Sequence, residues 1–291
     1  MKKNFFLISL LILTIISAKG EIFFKIEKDG MKPSYVFGTH HLAPVAMLDT
    51  IPMLKEAIES CDAVIGEIDM TQNQMALAMK MQPYMIAPSD STLSALLTPE
   101  EFNDLNAKFT PLSPMPGVDL NALNTMRPMV ISSMATMAML QKSLPEFNPQ
   151  EQLDSEFQKI FREKGKKIIP LETPEMQAQL LYCTLPITRQ IEQLREILNN
   201  PEKTEEITRS LNSNYLNHDI NALMQLTLDE EDDADFQKAL IERRNHAWIP
   251  QLVENISSAP ALIVVGALHL PGETGILNLL KQEGYTITPI N

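Results

Sequence analysis

Apolar and polar positions alternate loosely from Glu21 to Ile26, the period of a strand with one face buried. Glu27–Gly30 reads as a turn, and Ser34–Gly38 as a second strand that pairs back as a hairpin. From Pro52 to Cys61 the spacing becomes helical, with Met53, Leu54, Ala57 and Ile58 on one face and Pro52 suited to the first turn. Asp62–Ile68 is a short apolar run of the buried-strand type. Strand, helix and strand in succession predict a βαβ unit and hence a parallel sheet.

Strand signals then vanish from Thr71 to about Gly165, where helical stretches are separated by prolines. Thr98 and Pro99 mark one helix start as cap and first residue. The segment reads as a helical insertion, about residues 71–165, covering one side of the sheet. Its many methionines, among them Met70, Met75, Met79, Met115 and Met139, favour packing of an irregular helical core over a soft ligand groove or a copper site. Asp154–Lys164 is helical, Lys167–Leu171 is a strand, and Pro174–Leu185 and Thr188–Asn199 are helices. Asp229–Asp235 is an acidic run without the EF-hand spacing, so a solvated loop or helix start is expected rather than a calcium site. A helix over Asp235–Leu252, a buried strand over Ala261–Gly266, a helix over Gly275–Gly284 and a last strand over Tyr285–Ile290 complete the chain. The pattern is α/β: a mixed, mostly parallel central sheet with a large helical insertion.

The first 20 residues are set apart by composition. Lys2 and Lys3 precede an apolar run from Phe5 to Ala18, and Ala18, Lys19 and Gly20 form a small-x-small cleavage site, the layout of a secretory signal peptide. The run is short for a membrane span, which takes about 20 apolar residues. The expectation is an exported protein, periplasmic or secreted, with residues 21–291 as one domain and no stable membrane span. The chain carries a formal net charge of −13, and loss of a lysine-bearing leader makes it more acidic still. Such a surface repels phosphate backbones, which argues against nucleic acid as a partner. Cys61 and Cys183 are the only cysteines; they either pair or remain buried thiols.

Four polar residues share one context. His41, Glu67, Glu172 and His269 each lie at or just past the C-terminal end of an apolar strand, the edge where open α/β sheets bind ligands. Two of them close Gly-x-x-His motifs, Gly38–His41 and Gly266–His269, and three of the five histidines lie in these motifs, counting His40. The glycine opening each motif is expected to let the backbone turn sharply as it leaves the strand. Imidazole and carboxylate together suit a divalent ion such as Zn, Mn or Co, whose bound water becomes a nucleophile near neutral pH. Spacing alone leaves that reading level with histidines that simply bond loop carbonyls. There is no Gly-x-Ser-x-Gly elbow, no phosphate-binding glycine loop and no His-Glu-x-x-His.

The motifs together resemble the TraB/GumN family, related to the Tiki metalloproteases and PrgY pheromone-shutdown proteins. The resemblance rests on the strand ending in Gly38–His41, on Glu67 with Asp69, on Arg127 with Pro128, and on Asp154 at a helix start. It continues through Leu171, Glu172, Thr173 and Gln177, then Arg244, Asn245 and Trp248, and closes with the run from Val265 to Gly275. Met129 stands where relatives often have tryptophan, Leu268 where they have glycine, and His40 replaces an aliphatic residue. The resemblance implies two Gly-x-x-His halves facing one cleft and, for the Tiki branch, metal-dependent peptide cleavage. It implies His41, Glu67 and His269 as metal ligands, with Glu67, Glu172 and Arg244 as catalytic groups. Arg244 would stabilise an oxyanion or hold Glu172 or Glu67 in a salt bridge. Asn245 and Gln177 would support the ligands, and the motif spacing selects His41 over His40. The implied activity is that of a divalent-metal-dependent hydrolase, a peptidase acting on a peptide or small protein. The alternative is a non-catalytic binding protein that sequesters a peptide signal or a metal–ligand complex.

Overall fold

The computed structural model describes residues 21–113, 116–144, 147–228 and 234–290. The expected leader, residues 1–20, lies outside the described residues, as do Met115 and residues 229–233 of the acidic run.

Six strands among the described residues form one sheet: β1 (Phe23–Glu27), β2 (Ser34–Thr39), β3 (Ala63–Gly66), β4 (Lys167–Pro170), β5 (Ala261–Gly266) and β6 (Thr286–Pro289). Their order is β4-β3-β5-β2-β1-β6. β2, β5, β3 and β4 run parallel, whereas β1 is antiparallel to both β2 and β6. The hairpin of β1 and β2 forms as the alternation predicts, with Phe23 opposite Phe37. β2 and β3 are parallel but not neighbours, because β5 lies between them. β5 suits the centre: Ala261–Val265 is wholly apolar and every residue of it is buried, as a strand covered on both faces requires.

Thirteen helices accompany the sheet among the described residues: α1 (Leu54–Ser60), α2 (Gln74–Met85), α3 (Leu93–Leu96), α4 (Pro99–Phe109), α5 (Pro128–Ser143), α6 (Leu153–Glu163), α7 (Pro174–Cys183), α8 (Ile187–Asn199), α9 (Pro201–Leu216), α10 (Ile220–Leu228), α11 (Ala234–Leu240), α12 (Glu242–Ser258) and α13 (Ile276–Gln282). Thr98 caps α4 as expected, its side chain accepting from the Glu101 amide. Pro52 does not enter α1: Met53 adopts a left-handed conformation with φ 57°, and the helix starts only after it. The helix expected over Asp235–Leu252 is broken at Ile241 into α11 and α12. None of the described helices is long and apolar enough to cross a membrane.

Two apolar cores result. The first joins the sheet to α1, α6, α12 and α13, with Phe37, Val64, Phe157, Phe161, Trp248, Leu252 and Leu280 buried together. Phe37 and Phe157 meet at 5.0 Å between ring centroids, fastening α6 to β2. Each such side chain removed from water contributes about 1.5–3 kcal/mol. The second core gathers Leu93, Leu105, Phe109, Ile131, Ala135, Ile191 and Leu194 from α3, α4, α5 and α8. Only α6 of the 71–165 segment therefore packs on the sheet; α3 to α5 build their own core with α8 instead of covering a sheet face. The methionines divide likewise. Met139 is buried and Met126 and Met134 pack on the second core, Met75 and Met79 are exposed, and Met70 lines the cleft described next. Cys61 and Cys183 are both free thiols, and burial pushes the Cys61 thiol up to about 12.

Candidate functional site

Thr39 of β2 lies opposite Gly266 of β5, so the two Gly-x-x-His motifs leave the sheet side by side. β3 contributes Glu67 at the same edge, one residue past Gly66. A cleft of about 350 Å³ opens there, lined by Thr39, His40, His41, Glu67, Asp154, Gln177, Arg244 and His269 together with apolar residues such as Leu180 and Leu223. The motif glycines do not provide sharp turns. Gly266 has φ −52°, open to any residue. Close approach explains Gly38, whereas at Gly266 a Cβ would make only ordinary contacts. A Cβ on Gly38 would lie 2.7 Å from Leu270 Cδ1 and 3.0 Å from Ala267 Cα, so only glycine lets β2 touch the segment carrying His269. A Cβ on Gly266 would lie 3.4 Å from Glu67 Oε1 and 3.6 Å from the His269 ring.

Arg244 is the hub of the first half of the site. Its Nε and Nη2 donate to Glu172 at 2.9 Å each, and Nη2 also donates to Glu67 Oε2 at 2.6 Å. Its Nη1 donates to the Leu240 carbonyl at 3.1 Å and meets His269 Nε2 at 3.1 Å. A guanidinium has five N–H groups, and all are engaged. The Trp248 ring centre lies 4.5 Å from the guanidinium carbon and packs at a 40° tilt against His269, with centroids 4.5 Å apart. Trp248 Nε1 also donates to Glu172 Oε1 at 3.0 Å. Glu172 therefore lies behind Arg244, away from the cleft lining, and anchors it. Glu67 is equally well held: Oε1 accepts from the Gly266 amide at 2.9 Å, and Oε2 accepts from Gln177 Nε2 at 2.9 Å. A second side-chain amide supports the same loop, Gln158 donating to the Ile68 carbonyl and accepting from the Met70 amide, both at 2.8 Å.

Asn245 fixes the tautomer of His269. Its Nδ2 donates to the His269 and Thr274 carbonyls at 3.1 and 2.8 Å, so its Oδ1, 2.6 Å from His269 Nδ1, is an acceptor. Nδ1 thus carries the proton and Nε2 keeps its lone pair. Burial lowers the His269 pKa to about 4; the Glu67 charge opposes this and the Arg244 charge adds to it. Burial alone would raise the Glu67 carboxyl, but His269, Arg244 and the Gly266 amide together bring it down to about 2. Near neutral pH His269 is uncharged, so Arg244 is the cation that holds Glu67 ionised there.

The second half of the site stands on β2 and α6. Thr39 Oγ1 donates to Asp154 Oδ1 at 2.9 Å. Asp154 Oδ2 is buried and has no hydrogen-bond partner; His41 Nδ1 stands 4.0 Å from it. The His41 side chain is 71% exposed, whereas that of Asp154 is 11% exposed. Burial raises the Asp154 carboxyl, His41 pulls it back, and the Glu67 charge adds to the rise. His40 lines the cleft too but packs against the Tyr215 ring, with centroids 5.1 Å apart, and burial with the His41 charge lowers its pKa to about 4. Tyr215 in turn donates to the Gly38 carbonyl at 2.8 Å. Both histidines of the first motif therefore line the cleft, His41 exposed and His40 packed on Tyr215.

His41, Glu67 and His269 do not surround one point. His269 Nε2 and Glu67 Oε1 are 3.9 Å apart, but the Arg244 guanidinium, a fixed positive charge, bonds both residues. Among the described residues no three His, Cys, Asp or Glu side chains are grouped to hold a metal ion. The donors as arranged fit a guanidinium at their centre and do not fit a three-ligand metal shell. Sequence reasoning gave no role to Thr39, Tyr215 or α9. Pro201 at the start of α9, with the buried Tyr215 in its last turn, was the available signal.

The chain matches the family model described as the TraB/PrgY/gumN family over residues 22–289, and it belongs to that family. No curated protein and no solved structure matches it.

Proposed function

We propose that this protein is an exported hydrolase that cleaves peptide bonds in the cleft at the ends of β2, β3 and β5. The observation that supports this best is the pairing of two imidazoles at adjacent strand ends, one exposed and one buried, beside an ionised carboxylate and a guanidinium. His41 is the freely reachable imidazole and suits general acid–base work. It would take a proton from water as the water oxygen attacks the carbonyl carbon. It would return that proton to the amine as the C–N bond breaks, leaving a carboxylic acid and an amine. Glu67, Arg244 and His269 form a rigid charged corner. Of the five Arg244 contacts, the 3.1 Å bonds from Nη1 to the Leu240 carbonyl and to neutral His269 can be exchanged without unpairing a carboxylate, and of these two partners His269 lines the cleft, so a developing oxyanion would take its place. Glu172, Asn245, Gln177 and Trp248 hold that corner in place.

The divalent ion that the resemblance implies, Mn, Co or Zn, finds no three-donor shell here, so no step is routed through it. Metal content of the purified protein and turnover after chelation test that requirement directly. Hydrolysis itself is tested by incubating the protein without its leader with a peptide library and reading fragments by mass spectrometry. Cleavage that His41→Ala and His269→Ala each abolish is expected. Undiminished cleavage in both variants, or stoichiometric peptide binding without fragments, overturns the reading.

A further inference from the structure

One carboxylate in the cleft has no assigned work. Asp154 is the second residue of α6, and Thr39 Oγ1 fixes one of its oxygens at 2.9 Å. The other oxygen is buried without a donor. A buried carboxylate oxygen left unpaired is costly, so a donor is expected nearby. Among the described residues the one cationic side chain within salt-bridge range is His41, with Nδ1 at 4.0 Å, about 1 Å beyond a hydrogen bond. His41 is mostly exposed and is not packed in place. A small swing of its ring closes that gap.

We propose that Asp154 is the positioning residue of His41. Thr39 orients the carboxylate, and the carboxylate accepts Nδ1–H of His41. This selects the tautomer whose Nε2 lone pair faces the cleft, because the bond made by one ring nitrogen decides which nitrogen carries the proton. The two imidazoles are then set alike: Asn245 holds His269 through Nδ1, and Asp154 holds His41 through Nδ1. Thr39 and His41 belong to one strand end, so the relay is built into the first motif, and α6 delivers its carboxylate through the Phe37–Phe157 contact. The role of Asp154 rests on the hydrolase reading for its purpose, though not for its geometry.

Histidine tautomers are read from long-range proton–nitrogen spectra of the ¹⁵N-labelled protein, with signals assigned by single His→Gln variants. The pH is set about two units above the ordinary imidazole value of ~6.5, so that the exposed ring is neutral. His41 is expected as the Nδ1–H form in the native protein. In Asp154→Asn, Thr39 still donates to Oδ1 and the amide Nδ2 replaces the oxygen facing His41, so the signal shifts to the Nε2–H form, and in Thr39→Val it moves part of the way. The His269 signal stays Nδ1–H in both variants, showing that the fold holds. Peptide turnover in Asp154→Asn falls at least tenfold in kcat with KM little changed. Native His41 in the Nε2–H form overturns the proposal even if neither variant folds. Native Nδ1–H with no peptide cleaved by the native protein leaves the positioning of His41 supported and defeats the hydrolase reading alone.

Discussion

Replacing Arg244 with Met tests whether a guanidinium is the structural centre of this cleft. The substitution keeps a long side chain beside Trp248 while removing every N–H that Glu67 and Glu172 share with it. The side chains of Glu67 and Glu172 are only 20% and 7% exposed, so water cannot replace the lost charge. Breaking such a buried pair from one side costs about 3–5 kcal/mol. A second route to the magnitude agrees. The chain can escape by protonating one carboxylate, which costs about 1.4 kcal/mol for each pH unit above the ordinary value of ~4.3. That caps the loss near ~4 kcal/mol at pH 7 and near ~1 kcal/mol at pH 5.

The sign follows from the same groups. In the native protein Glu67 lies at about 2, below its ordinary value of 4.5, so it stabilises the fold above pH 4.5 and loses that effect between 4.5 and 2. Without Arg244 the Glu67 carboxyl loses the charge that holds it down, and the variant regains stability as pH falls and that carboxylate takes up a proton. Urea unfolding of both proteins at pH 7 and pH 5 measures the difference. A loss below about 1 kcal/mol at pH 7, or an equal loss at the two pH values, refutes the claim that Arg244 is the buried counter-ion of this site.

The histidines give a separate pH prediction. His40 and His269 each titrate near 4 in the fold, so the unfolded chain takes up their protons first and stability falls as pH drops from 6.5 toward 4. His40→Leu removes one of these, and its stability loss between pH 7 and pH 5 is expected to be about 2 kcal/mol smaller than in the native protein, read by the same urea curves. Gly38→Ala meets Leu270 and the Ala267 backbone at 2.7 and 3.0 Å and should lower stability by about 1–3 kcal/mol. Gly266→Ala meets its nearest atoms at 3.4 Å, so thermal unfolding should change little while peptide turnover falls, because those atoms belong to Glu67 and His269. Gly275→Ala would place Cβ 2.1 Å from the Pro271 carbonyl oxygen, and soluble yield should drop sharply.

Much of this fold was legible because period and punctuation are local. The β1–β2 hairpin, the Thr98 cap of α4 and the boundaries of β5 are all set by a few adjacent residues. Strand order is not local. β2, α1 and β3 read as a βαβ unit, but β5, far along the chain at Ala261–Gly266, pairs between them. The surface that the helical insertion covers is not local either. α8 follows β4 in sequence, yet its Ile191 and Leu194 complete the core of α3 to α5. Periodicity marks an apolar face without naming the surface that covers it.

The site shows the same division more sharply. His41, Glu67, Glu172 and His269 were all found from strand ends, and the structure does bring them to one sheet edge. Arg244 between them was legible only through the family resemblance, which offered it as an oxyanion stabiliser or as a salt-bridge partner of Glu172 or Glu67; residue types alone leave the matter open, since imidazole and carboxylate serve a metal ion and a guanidinium equally well. The deciding feature is the break at Ile241. A continuous helix over Asp235–Leu252 would commit the Leu240 carbonyl to the amide of Arg244 in its own ladder. With the break, α12 begins at Glu242, the Leu240 carbonyl is free to accept from Nη1, and Arg244 enters in the first turn with its guanidinium against Glu67, Glu172 and His269. One irregular residue in an otherwise helical pattern thus frees a carbonyl that helps to hold the cation at the centre of the cleft.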